Sequence, residues 1–257
     1  MSDVPSQSVQ LPEPNGAAVE ALAPTGTLRA AINLSNFLLV TGEDEAGDPI
    51  GVSPDMARTL ARLLEVDLDL LPMTSPAEVA DSGADDTWDI GLIGAEPARA
   101  ISIAFTTAYC EIQSTYMVGP GSDAMTVEDI DQPGMRIASA ARAAYDLWLE
   151  ANLQHAELVH GQGLGGSFDV FVEQDLDALA GLLPRLLTDV QRIPGARIID
   201  GQFAAVQQAM GTPRSRPPEG HEFLQRFVEA AISSGLVANL IDRHDVIGLS
   251  VAPLPTT

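Results

Sequence analysis

The sequence predicts an α/β protein with mostly parallel sheets. Short apolar runs of strand length recur along the chain, among them TLRAAINL (27–34), WDIGLIGA (88–95) and MRIASA (135–140). Between them lie segments whose apolar residues fall at helical spacing. The two kinds alternate over nearly the whole length, which is the pattern of strand–helix–strand units.

In chain order, residues 1–25 are polar with four prolines and read as a flexible N-terminal arm. TLRAAINL is the first strand, and GEDEAGDPIG (42–51) is an acidic, Gly-rich, hairpin-like turn. Ser53-Pro54 opens a helix, with Ser as cap and Pro at the first helical position. Met56, Leu60, Leu63 and Leu64 share one face of that helix. VDLDLLPM (66–73) alternates acid and apolar residues, as a half-buried strand does. Ser75-Pro76 repeats the cap-and-proline start for a short helix, and WDIGLIGA is a buried strand. STYMVG (114–119), MRIASA, AELVH (156–160) and DALAGL (177–182) read as strands. AAYDLWLEANL (143–153) and SFDVFVEQ (167–174) read as helices, and ARIID (196–200) and FAAVQQAM (203–210) as extended. EFLQRFVEAAISSG (222–235) is the clearest amphipathic helix: Phe223, Leu224, Phe227, Val228, Ala231 and Ile232 line one side, and Gly235 ends it.

Composition narrows the function. The chain has 257 residues, 46% of them apolar, enough for one large domain or two small ones. It carries 36 acids against 13 bases, net -23, and every base is Arg. Nucleic acid and anionic membranes are polyanionic and are excluded as partners by repulsion. No apolar run approaches bilayer length, so no membrane insertion is expected. The single cysteine, Cys110, cannot form an intrachain disulfide and reads as a small buried hydrophobe. The first residues show neither a basic nor a continuous apolar signal region. As written, the sequence therefore reads as cytoplasmic, or as periplasmic if an export segment has been removed. His155, His160, His221 and His244 show no metal-ligand spacing, and no C-x-x-C, H-E-x-x-H, P-loop or G-x-S-x-G is present. No metal and no cofactor is expected. GQGLGGSF (161–168) contains a formal G-x-G-x-x-G, but no acid-tipped strand follows at the needed distance, so it reads as a flexible loop.

The order of segments resembles the type II, amino-acid-type solute-binding proteins of ABC importers. The resemblance covers about residues 26–253. It rests on TLRAAIN, on GVSPDMARTLARLLEVDLDLLP, and on DIGLIGAEPARAISIAFTTAY, an Asp-led strand followed by a turn ending in Arg and an apolar segment closing on an aromatic. VEDIDQPGMRIASAARAAYDLWLE and DALAGL are similar to the family's second lobe. The resemblance implies a two-lobed periplasmic-binding-protein-like fold with a ligand cleft between the lobes. Lobe 1 would be residues 26–118 plus 208–257 and lobe 2 residues 119–207, with hinge crossings near 118–121 and 203–212. Gly119, Pro120 and Gly121 suit a hinge, which must absorb backbone rotation.

The family's carboxylate-gripping Arg falls at Arg99, whose planar fork of donors matches two carboxylate oxygens. The family usually has Thr three positions earlier; Glu96 stands there and could pair with Arg99 or supply a negative charge for an ammonium. The family's ammonium-binding Asp falls at Leu182, which an unpaired ammonium could not tolerate. The expected ligand is therefore a small polar organic molecule bearing a carboxylate, with a zwitterion left open through Glu96. By the resemblance, Asn36 and Phe37 correspond to a polar contact and an aromatic wall, and Ser139 and Arg142 lie in a loop that receives an anion, while Phe37 equally suits core packing and Tyr109 suits either a pocket wall or packing. Asp177 faces the site in one strand register and turns away in the other. Trp88 reads as packing.

The leading reading is a non-catalytic binding protein with a small-molecule ligand and, as the importer resemblance implies, an ABC permease as partner. The alternative is a cytoplasmic enzyme on the same scaffold, such as a cyclohexadienyl-dehydratase-like lyase. That reaction needs a cleft carboxylic acid as proton donor, for which Glu96 and Glu173 are candidates by residue type.

Overall fold

The structure, a computed structural model, describes residues 10–254. Its elements are, in chain order, α1 (Gly16–Leu22), β1 (Thr27–Asn33), β2 (Gly42–Glu43), β3 (Pro49–Ile50), α2 (Val52–Leu64), β4 (Asp67–Met73), α3 (Pro76–Ser82), β5 (Ile90–Gly94), β6 (Ile103–Val118), β7 (Arg136–Ala140), α4 (Ala144–Asn152), β8 (Glu157–Gly161), α5 (Gly163–Glu173), β9 (Ala178–Leu182), α6 (Leu183–Asp189), β10 (Arg197–Ile198), β11 (Ala204–Pro213), α7 (Pro218–Ser233), α8 (Leu236–Arg243) and β12 (Leu249–Val251). The chain divides into two compact units, residues 1–111 with 207–257 and residues 112–206. The first division falls inside β6, between Glu111 and Ile112. Gly119–Gly121 thus belongs wholly to the second unit, and the chain leaves the first along an extended strand rather than through the Gly-Pro-Gly turn.

In the first unit the strands run β4-β1-β5-β11. β1 pairs parallel with β4 from Thr27↔Asp67 to Asn33↔Met73, and with β5 from Ala30↔Ile90 to Ile32↔Leu92. β1 is buried on both faces, which is why it reads as an almost continuous apolar run. Ala31 packs with Val79, Trp88, Ile93 and Ile103 against α3. Trp88 is fully buried, and its indole N–H reaches the Val79 carbonyl at 3.1 Å, as expected of a packing residue.

Two of these local readings change and one is kept. Of residues 1–25, expected as a flexible arm, 1–9 lie outside the described residues, while 16–22 form α1, capped by the Asn15 side chain, with Ala18, Ala21 and Leu22 buried and the helix packed on α7. Ser53 does not cap α2. Gly51 is the cap residue, at φ 144°, and a Cβ there would lie 2.3 Å from the Leu39 carbonyl oxygen. The Ser53 hydroxyl instead bonds the Tyr109 hydroxyl at 2.7 Å in the core. Ser75, by contrast, caps α3 as its sequence predicts, accepting from the Glu78 backbone N–H, with Pro76 next.

At the N-terminal end of β5, Asp89 is buried between two guanidinium groups. Arg29 Nη2 lies 2.8 Å and Arg216 Nη2 2.5 Å from its Oδ1, and Oδ2 accepts from the Arg29 backbone N–H. The hydrogen bond to Asp89 raises the Arg29 pKa above its ordinary value. This pins β1, β5 and the segment after β11 at the end of the sheet opposite the turn that carries Arg99.

In the second unit the order is β6-β9-β7-β8, with β6 antiparallel to β9 and the other neighbours parallel. Ser114 lies opposite Leu182, Tyr116 opposite Ala180, and Ile137 opposite Ala178. Alternation then places Ser114, Tyr116, Ile137 and Ser139 on one face. That face carries α4: Tyr116 stacks on Phe203, and Phe203 on Trp148. The other face carries Met117, Ala138 and Leu179 against Phe168 and Phe171 of α5 and Leu186 of α6. The stretch read as a Gly-rich flexible loop is instead the start of α5. Gly161 ends β8, and a Cβ there would lie 2.3 Å from the backbone of Gly166 and Ser167, so its glycine serves close strand–helix packing.

Replacing Asp89 with Ala leaves Arg29 and Arg216 sharing only the exposed Asp86 carboxylate and is expected to destabilise the protein by about 3 kcal/mol. Urea unfolding of the variant beside the unmutated chain measures it.

Candidate functional site

Ligands of open α/β sheets gather beyond the carboxyl ends of the strands. In the first unit those ends are Asn33, Met73 and Gly94. After β5 the chain turns through Glu96 into a short 3-10 turn, Arg99–Ile101, closed by Arg99 N–H and Ala100 N–H bonds to the Glu96 carbonyl. Arg99 Nη1 donates to the Gly94 carbonyl at 2.8 Å, which fixes the guanidinium beside the strand end. Its other donors have no hydrogen-bond partner among the described residues. No carboxylate among them lies within the 4.0 Å of an ion pair.

Glu96 is near enough to matter electrostatically without closing on Arg99. Both side chains are half-buried. Burial lowers the Arg99 pKa, and the Glu96 charge partly offsets that. Burial likewise raises the Glu96 carboxyl above its ordinary value, with Arg99 pulling it back down. The guanidinium stays charged at any physiological pH. The turn therefore presents a fixed cation with free donors, and next to it a carboxyl that resists ionising.

The loop after β1 lies at the same strand ends. Asn33 Oδ1 accepts from the Ser35 hydroxyl and backbone N–H, and Asn36 Oδ1 accepts from the Leu38 N–H at 3.3 Å. Both amides shape the loop. Phe37 is 45% exposed, an apolar ring held at the surface. Tyr109 is not a pocket wall: it is fully buried and its hydroxyl is used by Ser53. Cys110 is buried beside it, and burial pushes its thiol pKa well up, which removes it as a nucleophile.

In the second unit, Ser139 is the penultimate residue of β7 on the α4 face, where its hydroxyl is buried without a hydrogen-bond partner. The Ser114 hydroxyl on the same face is in the same condition. So is the hydroxyl of Tyr145, in the first turn of α4, whose pKa burial raises. Buried hydroxyls left unpaired are costly and call for an explanation at each position. Ser114 and Tyr145 were not among the residues the sequence singles out. The one available signal for Ser114 was a polar residue in an otherwise buried strand.

Three further candidates from the sequence are engaged elsewhere or stand at the surface. Asp177 precedes β9, and its register partner Arg136 starts β7, so it sits at the opposite end of the sheet from Ser139. There it accepts from the Arg136 backbone N–H at 2.7 Å and fixes strand pairing. Arg142 is exposed, with φ 63°, and it is its backbone N–H, not its guanidinium, that is engaged, with Asp146 Oδ2 at 2.7 Å. Glu173 is exposed at the end of α5 and lacks the burial a proton donor needs. An open hollow of about 820 Å³ also lies in this unit, bordered by Gly119–Ala124, Asp129, Asp175 and Asp177. Its titratable border is wholly acidic, so it repels an anion.

No protein-family model and no curated protein sequence matches the chain. Solved structures do. A Streptococcus pneumoniae amino acid ABC transporter substrate-binding protein bound to L-arginine superposes with a TM-score of 0.66 at 20% identity, covering 88% of this chain and 97% of its own. A binding component of an ABC transporter from Wolinella succinogenes, complexed with lysine, gives 0.66 at 17%, covering 85% and 95%. An ancestral amino-acid-binding protein, described as a precursor of cyclohexadienyl dehydratase, gives 0.67 at 17%, covering 88% and 98%. At these identities the likeness establishes the fold: a two-lobed, periplasmic-binding-protein-like α/β architecture. No helix among the described residues is long and apolar enough to cross a membrane.

The raised pKa of Glu96 sets a pH dependence. A carboxyl that holds its proton more tightly in the folded state makes folding more favourable below its folded pKa. That contribution is lost as pH rises from the ordinary carboxylate value through the raised one. Glu96→Gln is expected to remove this component. Its melting temperature should match the parent's in acid and equal or exceed it near neutrality, as thermal melts across pH 4–8 measure, about 4 being the ordinary carboxylate pKa.

Proposed function

We propose that the protein is a non-catalytic solute-binding protein that captures a small polar organic ligand through its carboxylate. The observation that carries this is Arg99: a half-buried guanidinium, held at the carboxyl end of a parallel strand by a carbonyl, with no carboxylate closing on it. A planar donor fork in that state fits a carboxylate in two parallel hydrogen bonds. Water exclusion around it strengthens the pairing.

Glu96 decides the ligand's other end. Burial raises its carboxyl pKa while Arg99 pulls it back, so a ligand cation beside it would favour its charged form further. A ligand bearing both carboxylate and ammonium would satisfy Arg99 and Glu96 together, while a simple carboxylate would engage Arg99 alone. The exposed ring of Phe37 offers an apolar cover. An importer permease as partner follows from the fold's associations and belongs to the same proposal.

A thermal-shift screen of amino acids and small carboxylates is expected to yield a ligand recovered chemically unchanged. Arg99→Ala should reduce its affinity by 10-fold or more, a loss of about 1.5–3 kcal/mol for a charged hydrogen-bonded contact. Chemical turnover of a bound hydroxy acid, or unaltered affinity in Arg99→Ala, would overturn the reading.

A further inference from the structure

In the second unit, α4 and β8 bring together three side chains that no local motif joins. Asp146 and Glu150 stand one helical turn apart on α4, and His160 is the penultimate residue of β8. His160 Nε2 lies 3.0 Å from Asp146 Oδ1 and 3.6 Å from Glu150 Oε1. The donor atoms of all three residues fall within 4.8 Å of one another.

Asp146 makes the group more than a surface ion cluster. Its side chain is 1% exposed. Oδ2 is satisfied by the Arg142 backbone N–H at 2.7 Å. Oδ1 is buried and has no hydrogen-bond partner: Nε2 approaches it closely, but not in hydrogen-bonding geometry. A buried carboxylate oxygen left that way is strongly unfavourable unless a cation completes it. Around a metal with bonds of about 2.0–2.2 Å, neighbouring ligand atoms lie about 2.8–3.6 Å apart. The two separations here match those edges.

We propose that Asp146, Glu150 and His160 form a site for a divalent transition metal ion of the Zn²⁺ class. One imidazole nitrogen and two carboxylate oxygens suit a borderline cation, whereas Ca²⁺ and Mg²⁺ prefer oxygen alone. Half-exposed Glu150 and His160 leave the outer side open to water ligands. The Arg142 N–H, bonded to the other oxygen of Asp146, orients that ligand in the way outer hydrogen bonds orient metal ligands elsewhere. The same bond ties the ion to the Ser139–Arg142 segment, so metal binding fastens that loop to α4 and β8. The site stands independently of the solute-binding proposal.

The test is calorimetric titration of the chelator-stripped, untagged full chain with Zn²⁺, with Mg²⁺ and Ca²⁺ as comparators. One Zn²⁺ should bind per chain and raise the melting temperature, with no comparable effect of the other two. His160→Gln and Glu150→Gln alter the exposed ligands and should each weaken Zn²⁺ binding by about 10-fold or more. Co²⁺ should give visible absorption bands that His160→Gln abolishes. Absence of stoichiometric Zn²⁺ binding overturns the proposal, as does binding unchanged in either folded variant; the cluster is then a metal-free ion pair. Should His160→Gln not fold, Glu150→Gln decides alone.

Discussion

A guanidinium drawn partly out of water must be given something negative to face, and Arg99 is given only the Gly94 carbonyl. That constraint organises the functional reading. The chain does not lack acids, with 36 of them. Elsewhere it uses them freely: Asp89 sits between Arg29 and Arg216, and Asp189 between Arg185 and Arg192. At Arg99 the adjacent acid is held back from contact, and burial penalises its ionisation. The two ends of the first-unit sheet thus differ in kind. One is neutralised and fastened, and the other keeps its charge available.

Much of the architecture was legible in the sequence because the signals were local. The Ser75-Pro76 start, the acidic hairpin and the apolar stripe of α7 depend on neighbours along the chain, and each formed where its residues predicted. Several of the misreadings came from contacts distant in sequence. Ser53 has the residue type of a cap, but Tyr109, far along the chain, takes its hydroxyl. α1 is short and follows prolines, so the Asn15 cap is its one local mark, and its burial against α7 makes it a helix. Asp177 was legible only up to a choice of register, and pairing with Arg136 settles it away from Ser139.

The candidate site divides the same way. Arg99 and Glu96 were visible because a short turn places them. The unpaired hydroxyls of Ser114 and Tyr145, and the meeting of Asp146, Glu150 and His160, exist only once β6, β7, β8 and α4 are packed. The expectation of no metal site rested on histidine spacing. It carried no sign of a cluster drawn from a helix and the strand that follows it.

The most direct measurement follows the side-chain N–H resonances of the arginines by heteronuclear NMR as a bound carboxylate ligand is added. The account predicts that the Arg99 Nε–H signal, assigned by its loss in Arg99→Lys, moves and slows its exchange with water, while those of Arg29 and Arg216 stay in place. A ligand that binds while Arg99 remains still, or an Arg99 signal already locked to Glu96 before any ligand arrives, would contradict it.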